Sequence, residues 1–524
     1  MSDMPPTSDP PPPSDAIHQL SIAKRLAPVS VLFQLMAMGR QSVLPLVVAS
    51  WSAVNGNWLI ALGVIAASTL GLAFVLVRYF TLRYQIADGE LIVTEGLLFR
   101  KVRNVPVDRI QNVDLVQNLW HRMFQVAEVR VETASGSEPE ATLRVLSLVE
   151  VDRLRSEIKT QSNRSRATTA SATDDPSDAY DTEPESPSHQ LVLAIPTPWL
   201  IKAGLASNRG LILFGILTGY IAQQNTRWDQ QFDRVAQNIP GQAWTLNPWI
   251  LIPIAIIAAL LVIRLLGVGW YILRFSGYRL DRVGEDFQVS CGLLTKVSAT
   301  VPRRRIQFIS IHRTPLMRWM KLSSIRIETA GGAGKQGEDA ASTVTRRWFV
   351  PVIPDARLAE VLDHIRTGLV INEPTVNWTT ASPRAGRRLL RLAILGSILA
   401  ATIGFLSLGN GGILLGVIVG VAIVAWSRIY LRFLGYHRFN DGVMFRSGAW
   451  NRKTSVTFFD RIQTLDIKTS PFDRRWSMGR LSIDTAAAGP ADHPIVFPMM
   501  DIGQAKSEFA ILSKHSANSP MSWD

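Results

Sequence analysis

GLLFRKVRNVPVDRIQNVDLVQNLWHRMFQVAEVRVETASG, residues 96–136, contains the triplet Arg109-Ile110-Gln111 on which the reading of the whole chain turns. The triplet returns as Arg305-Ile306-Gln307 and as Arg461-Ile462-Gln463. Its neighbours return at fixed distances: Gly96, Gly292 and Gly448 before it, Arg122, Arg318 and Arg474 after it. Further on come Thr133, Thr329 and Thr485, each followed by Ala and preceded by an acid (Glu132, Glu328, Asp484). Four residue types at the same offsets three times make an internal repeat, and a repeat decides the architecture before any single element does.

The segments around each block read as β-structure. VRVETAS, IRIETAG and LSIDTAA alternate apolar and polar residues, as half-buried strands do. LIVTEGLLFRKVRNVPV consists of short runs broken by Gly and Pro, the pattern of strands and turns. Further strands are predicted at 142–148, 346–352 and 494–499. Amphipathic helices close the units at 149–160, 354–369 and 501–513, the first opened by a Ser147–Glu150 capping box. Each unit is about 80–90 residues, enough for a small core of its own.

A pair of apolar segments precedes each unit, at about 28–54 and 58–79, 197–222 and 247–271, and 388–408 and 411–431. Runs without acids at 58–77, 247–263 and 392–426 match the roughly 20 apolar residues that a helix needs to cross a bilayer. The first members of the pairs carry Gln34, Arg40, Lys202 and Arg209. They read either as amphipathic lead-in helices or as parts of one long kinked helix, with Pro45 at the kink in the first pair. Arg40, Arg209 and Arg391 are expected near the headgroups, and Trp51, Trp58, Trp249, Trp270 and Trp426 in the interfacial aromatic belt. Lys24, Arg25, Arg78, Arg83, Arg274, Arg384, Arg387, Arg388, Arg428 and Arg432 gather on one side of three hairpins. The opposite loops hold only Arg227 and Arg234 as basic residues, so the positive-inside rule predicts cytoplasmic termini and β units. The layout is a disordered tail at 1–20, hairpins at 28–80, 195–274 and 388–432, β units at 81–160, 275–370 and 433–515, a disordered linker at 161–190 and a short one at 371–387.

The pattern of Val105-Pro106 with Arg109-Ile110-Gln111 and Val301-Pro302 with Arg305-Ile306-Gln307, followed by Arg122 and Arg318 and the Glu-Thr-Ala strands, resembles the bacterial PH-like (bPH2) domain family, formerly DUF304. In particular it resembles the YdbT-like multi-unit membrane proteins. The third unit departs from the pattern with Phe458 where the others have Pro. The resemblance covers about 28–160 and 195–515. It implies an α+β membrane protein: three PH-like β-sandwich domains, each with a C-terminal helix, tethered by transmembrane helical hairpins with about six spans. It implies no activity, and it implies a smaller single-unit PH-like membrane protein as a partner.

The chain of 524 residues, 47% hydrophobic and 19% charged, carries a net charge of +13. Beside membrane spans that balance points to membrane lipids and not to nucleic acid. One cysteine, Cys291, excludes a disulfide framework and a Cys-rich metal site, and it reads as a packing residue at a strand end. Gly332-Ala333-Gly334-Lys335-Gln336-Gly337 formally matches GxGxxG, but no apolar helix follows, so it reads as a hairpin loop. The eight His are scattered, and His121 and His312 read as solvated. No catalytic residue, cofactor or metal site is expected.

The candidate positions are therefore Arg109, Gln111, Arg122, Arg305, Gln307, Arg318, Arg461, Gln463 and Arg474. They form either a basic surface for anionic headgroups or structural corners of the units. The Ile at the centre of each triplet is expected to be buried. The functional expectation is a non-enzymatic binding or scaffold module of the bacterial inner membrane, in a setting such as envelope stress or resistance to membrane-active agents. The alternative is a lipid-handling or transport component, and the absence of Asp and Glu from the spans argues against ion-coupled transport.

Overall fold

The computed structural model describes residues 24–25, scattered positions between 58 and 73, 83–87, 90–95, 101–107, 110–133, 141–154, 156, 189–223, 248–330, 348–369, 371, 376–486 and 495–518. The expected tail at 1–20, most of the first hairpin, nearly all of the 161–190 linker and the 332–337 loop lie outside these residues. The chain divides into two compact regions, residues 1–185 and 186–524.

The first region holds one β domain. Strands β1 (Lys24–Arg25), β2 (Arg83–Ala87), β3 (Glu90–Glu95) and β4 (Lys101–Pro106) pair antiparallel in that order. A second sheet follows, of β5 (Ile110–Asn118), β6 (Val126–Thr133) and β7 (Ala141–Ser147), with a one-turn helix α1 (Leu119–Met123) between β5 and β6. Leu91, Val93 and Val105 from the first sheet meet Val129, Val131 and Leu146 from the second, and Val151 and Leu154 from the helix after β7 complete the core. That helix starts at the predicted cap, where the Ser147 hydroxyl accepts from the Glu150 amide at 3.3 Å.

The second region repeats this plan twice. Strand β8 (His189–Ala194) leads into helices α2 (Thr197–Ala206), α3 (Arg209–Gln223) and α4 (Pro248–Phe275), after which β9 (Arg279–Val283), β10 (Asp286–Cys291) and β11 (Thr295–Pro302) extend the sheet from β8. The second sheet is β12 (Ile306–Arg313), β13 (Leu322–Thr329) and β14 (Val350–Pro354), with α5 (Pro315–Trp319) after β12 and the closing helix α6 (Asp355–Ile365).

The last copy runs from β15 (Thr379–Thr380) through α7 (Ala385–Leu408) and α8 (Gly411–Phe433) to β16 (Gly435–Phe439), β17 (Gly442–Ser447) and β18 (Arg452–Phe458). It then forms β19 (Ile462–Lys468), α9 (Pro471–Arg475), β20 (Met478–Thr485), β21 (Ile495–Asp501) and α10 (Ile502–Asn518).

The expected domain boundaries need one correction. The first strand of each domain comes from before its hairpin: β1 pairs with β2, β8 with β9 and β15 with β16. Residues 189–190 and 379–380, expected in linkers, are therefore strand. The reason is physical: an edge strand two to six residues long, paired on one side, carries too little periodicity to stand out from polar surroundings. Its consequence is that a hairpin is inserted within a sheet, so its two legs enter and leave from neighbouring strands.

Three described helical stretches are long and apolar enough to cross a membrane: Ile256–Phe275, Ala385–Ser407 and Gly411–Phe433. On α7 and α8 the large apolar side chains face outward, among them Leu395, Leu399, Leu414 and Val421, as lipid-facing residues do. Small residues meet between the two helices. A Cβ added at Gly412 would lie 2.0 Å from the Gly404 carbonyl carbon, and one at Gly416 would lie 2.5 Å from the Ala401 Cβ. Backbones approach this closely only through small residues. Gly409 turns the chain between them at φ +59.

The first member of the second pair is two helices, broken at Ser207, which is extended (φ −86, ψ 145). Arg264 of α4 sits at this break. Its Nη1 donates to the carbonyls of Leu205 and Ser207, both at 3.1 Å, supplying donors that the end of α2 lacks.

Candidate functional site: the repeat block and a shared sheet

Several of the repeated residues answer a specific backbone requirement. Gly292 and Gly448 turn the β10–β11 and β17–β18 hairpins at φ +113 and +101. A Cβ there would lie 2.0 Å from the Thr295 oxygen and 1.9 Å from the Asn451 oxygen, so no other residue fits. The triplet is not a continuous strand. Arg305 ends a 3-10 turn (Arg303–Arg305) and Arg461 ends another (Phe459–Arg461), and the Ile begins the next strand.

The Gln occupies a β-bulge. Ile110 pairs with Thr133, Ile306 with Thr329 and Ile462 with Thr485, and the partner of the following pair is displaced in all three copies. Gln111, Gln307 and Gln463 are the extra residues at that step, where a strand bends and its twist increases. The Ala after the Thr completes the corner in the second domain, its amide donating to the Arg305 carbonyl at 2.9 Å. The central Ile is buried at Ile306 and Ile462, and Ile110 is half-buried against the first core. The later Arg lies on the one-turn helices α1, α5 and α9, and each helix is followed by a residue at positive φ (Gln125, Lys321, Ser477). That left-handed position recurs without glycine, so no residue type marks it in the sequence. Arg109 and the Gln111 side chain lie outside the described residues.

The described candidate positions of the second and third domains do not converge on one pocket. Gln463, Arg122 and Arg474 are exposed, whereas Gln307 is 4% exposed. The difference arises because β12 pairs with β18, from Phe308 opposite Thr457 to Arg313 opposite Arg452. The second and third domains therefore share one seven-stranded sheet, in the order β14-β13-β12-β18-β17-β16-β15. Further contacts reinforce this seam. The Thr457 hydroxyl donates to the Gln307 carbonyl at 3.1 Å, and Arg318 Nη2 donates to the Trp450 carbonyl at 3.3 Å. Arg366 pairs with Asp460 at 3.3 Å and lies 3.9 Å from the Phe458 ring centroid. Phe308, a residue of the second domain, belongs to the core of the third with Tyr436, Phe445 and Phe497.

A sequence signal for this seam existed. IQFISI is buried at every position, a strand covered on both faces, whereas the matching IQTLDIK of β19 alternates.

The two histidines expected to be solvated are not. His121 is 6% exposed and its Nδ1 accepts from the Asn118 amide at 3.1 Å, while burial lowers its pKa against the opposing effect of Glu128. His312 lies in the seam opposite Lys453, 3.1 Å from the Ser310 hydroxyl. Burial, with Arg326 and Lys453 close by, pushes its pKa down to about 2. An unfolded chain binds a proton at this residue below about pH 6.5 that the folded chain refuses. The stabilisation is therefore complete above that pH and lost as pH falls, by about 1.4 kcal/mol per unit. Thermal unfolding in detergent is expected to weaken by about 2 kcal/mol from pH 7 to pH 5, and His312→Gln is expected to remove most of that dependence. An equal acid sensitivity in the variant would refute the assignment.

The start of the third hairpin grips its own domain. Arg388 of α7 pairs with Asp473 of α9, Arg384 Nη1 donates to the Trp476 carbonyl at 3.3 Å, and Arg391 stacks 4.8 Å from the Trp476 ring centroid. Asp473 is itself fixed by accepting from the Ser470 amide at 3.0 Å. Arg209, expected at the headgroups, lies 5.4 Å from the Trp270 ring centroid and 5.5 Å from that of Trp348. Cys291 ends β10 at 2% exposure, and burial raises its thiol pKa to about 12, the environment of an inert packing residue. Among the described residues, no group of His, Cys, Asp and Glu is placed to hold a metal ion.

Comparison with known proteins places this geometry. The Bacterial PH domain family matches the chain three times, at residues 32–162, 232–367 and 391–516, each match including hairpin residues. The UPF0699 transmembrane protein YdbT of Bacillus subtilis (strain 168) is 22% identical over 506 residues, covering 94% of this chain and 98% of that protein. No solved structure matches. With three matches that together span well over half of its length, the chain belongs to the Bacterial PH domain family as a membrane protein with three repeated domains.

Proposed function

We propose that the chain is an integral inner-membrane protein that holds its three PH-like domains at the cytoplasmic surface of the bilayer as a binding and scaffold module. The observation that carries this reading is the double attachment of the third hairpin. Its legs leave and re-enter one sheet through β15 and β16, and Arg384, Arg388 and Arg391 fasten its first turns to the segment around α9. A domain on a single flexible linker would sample many depths. One clamped in this way stays at the level of the headgroups, where basic residues contribute about 1 kcal/mol each toward an anionic surface. Membrane lipids are the proposed ligands, and a smaller single-domain PH-like membrane protein is the proposed partner. The module acts by binding, without turnover of a substrate and without nucleic acid.

The basic residues at the span ends, among them Arg274, Arg428 and Arg432, support cytoplasmic domains. A reporter active only in the cytoplasm should work when fused after Asp524, and activity of a periplasmic reporter there would overturn the orientation. Deletion is expected to change sensitivity to membrane-active peptides, and unchanged sensitivity across a panel would count against the envelope role. Movement of a labelled lipid in proteoliposomes would instead support a lipid-handling device.

A further inference from the structure

The strand pairing that joins the second and third domains has a second, unused edge in the third domain. In the shared sheet β12 has β13 on one side and β18 on the other. Its counterpart β19 has β20 on one side and, among the described residues, no strand on the other. Burial follows this difference: Gln307, Phe308 and Ser310 of β12 are buried, while Gln463, Thr464 and Asp466 of β19 are exposed. A repeated side-chain contact of the seam is open as well. Arg318 reaches the Trp450 carbonyl in the β17–β18 turn, whereas Arg474, at the same offset, is exposed and makes no side-chain hydrogen bond or ion pair among the described residues. Ser516 of α10 donates to the Ile462 carbonyl at 3.3 Å, but in the seam too the pairing begins only two residues after the Ile, at Phe308.

The chain carries a strand that fits this edge. Counted from the repeated glycines Gly96 and Gly448, β4 holds the place in the first domain that β18 holds in the third. It pairs with β3 and ends its four-stranded sheet. Where β18 is buried at Thr454, Ser455 and Val456, β4 is exposed at Val102, Arg103 and Asn104. In the register of the seam, Thr464 comes opposite Val105, Asp466 opposite Arg103 and Ile467 opposite Val102. An acid then faces a base and an apolar residue faces another, both favourable cross-strand pairs. Lys468 comes opposite Lys101, a repulsion that Asp466, 3.5 Å from the Lys468 Nζ, offsets. Charges on an edge strand prevent indiscriminate pairing, and Asp466 favours a strand with a base at the matching position.

We propose that β19 of one chain pairs antiparallel with β4 of a second copy, so that chains associate head to tail through the kind of seam that joins the second and third domains. That seam already holds two hairpins in one bilayer, so its repetition keeps the next chain's hairpins in the same bilayer. A contact of this heterologous kind propagates until a ring closes.

The test uses the full chain in mild detergent, with its mass followed by analytical ultracentrifugation over a concentration series. Wild type should associate as concentration rises. Asp466→Arg and Arg103→Asp, both at exposed positions, should each weaken association about tenfold, because each replaces an attraction with a like-charge contact. Asp466→Arg/Arg103→Asp should restore association, a rescue that misfolding of either single variant would not give. Disulfide trapping in membranes checks the register. Chains with Asp466→Cys co-expressed with chains with Arg103→Cys should form a cross-linked pair, since directly opposite residues lie within disulfide reach, and neither variant alone should. The native Cys291 is buried and does not compete. Cross-linking of Asp466→Cys with itself would mean that two β19 edges meet, and would overturn the head-to-tail arrangement. Wild type that stays monomeric at every concentration, or association that both single variants leave unchanged, overturns the pairing.

Discussion

Phe308→Ala should destabilise the C-terminal region by about 3–5 kcal/mol, the cost of deleting a buried aromatic ring and leaving a cavity. The loss should register mainly in a domain to which the residue does not belong. Phe308 is 2% exposed, and it lies in the third domain's core with Leu434, Tyr436, Val443 and Phe445. At the same point of the repeat the third domain has Thr464. An aromatic residue therefore stands where a strand is covered by the next domain, and a polar one where β19 ends its sheet. Hydrogen exchange separates this account from a local one, because amide protection reports each cooperative segment independently. In Phe308→Ala, the amides of β17, β18 and β21 should exchange faster, while those of β9 and β10 change little. Faster exchange confined to the second domain would show that the seam does not couple the two domains. Thr464→Ala, at the matching exposed position, should cost less than about 0.5 kcal/mol.

How much of this was legible in the sequence varies from element to element. The repeat located three β domains, the strands carrying the Thr-Ala pairs and the closing helices, because each rests on periodicity or on a fixed glycine. Gly292 and Gly448 are the clearest case, since their positive φ and the adjacent carbonyl leave one residue type for the position. The fate of the Gln was not legible. Gln307 and Gln463 sit in identical local sequence, Arg-Ile-Gln, and one is buried and the other exposed. What separates them is a strand about 150 residues away in the chain, a non-local pairing that leaves no mark on the residues around either Gln. His312 was misread for the same reason. Its neighbour Arg313 suggests a surface, and only the pairing with β18 places Lys453 opposite it.

Gly416→Ile is expected to separate the third hairpin and lower the stability of the C-terminal region by about 3 kcal/mol, the upper part of the range for overpacking a fitted contact. The Gly416 Cβ position lies 2.5 Å from the Ala401 Cβ, 2.8 Å from the Ser397 carbonyl oxygen and 3.0 Å from the Ala401 Cα. The last two are backbone atoms and cannot rotate away. The Ser397 hydroxyl also donates to the Gly416 carbonyl at 2.6 Å, and this hydrogen bond must lengthen as the helices part, at a cost of about 0.6 kcal/mol in a membrane setting. The residues facing lipid, such as Val417 and Val421, tolerate enlargement because nothing packed opposes them, so Val417→Ile is the matched control. Gly416→Ala should fall between wild type and Gly416→Ile. Adding Ala401→Gly should recover part of that loss, since it removes the closest atom but leaves the Ser397 carbonyl in place. A double-mutant cycle in detergent measures this recovery, and a coupling near zero would mean that the two helices do not touch at this level. Because the hairpin is clamped to its domain through Arg388 and Asp473, separation at Gly416 should also loosen α9, and protease cleavage near Trp476 should accelerate in step with the stability loss. Cleavage that stays at the wild-type rate while the helices separate would show that the clamp does not transmit the hairpin's state to the domain.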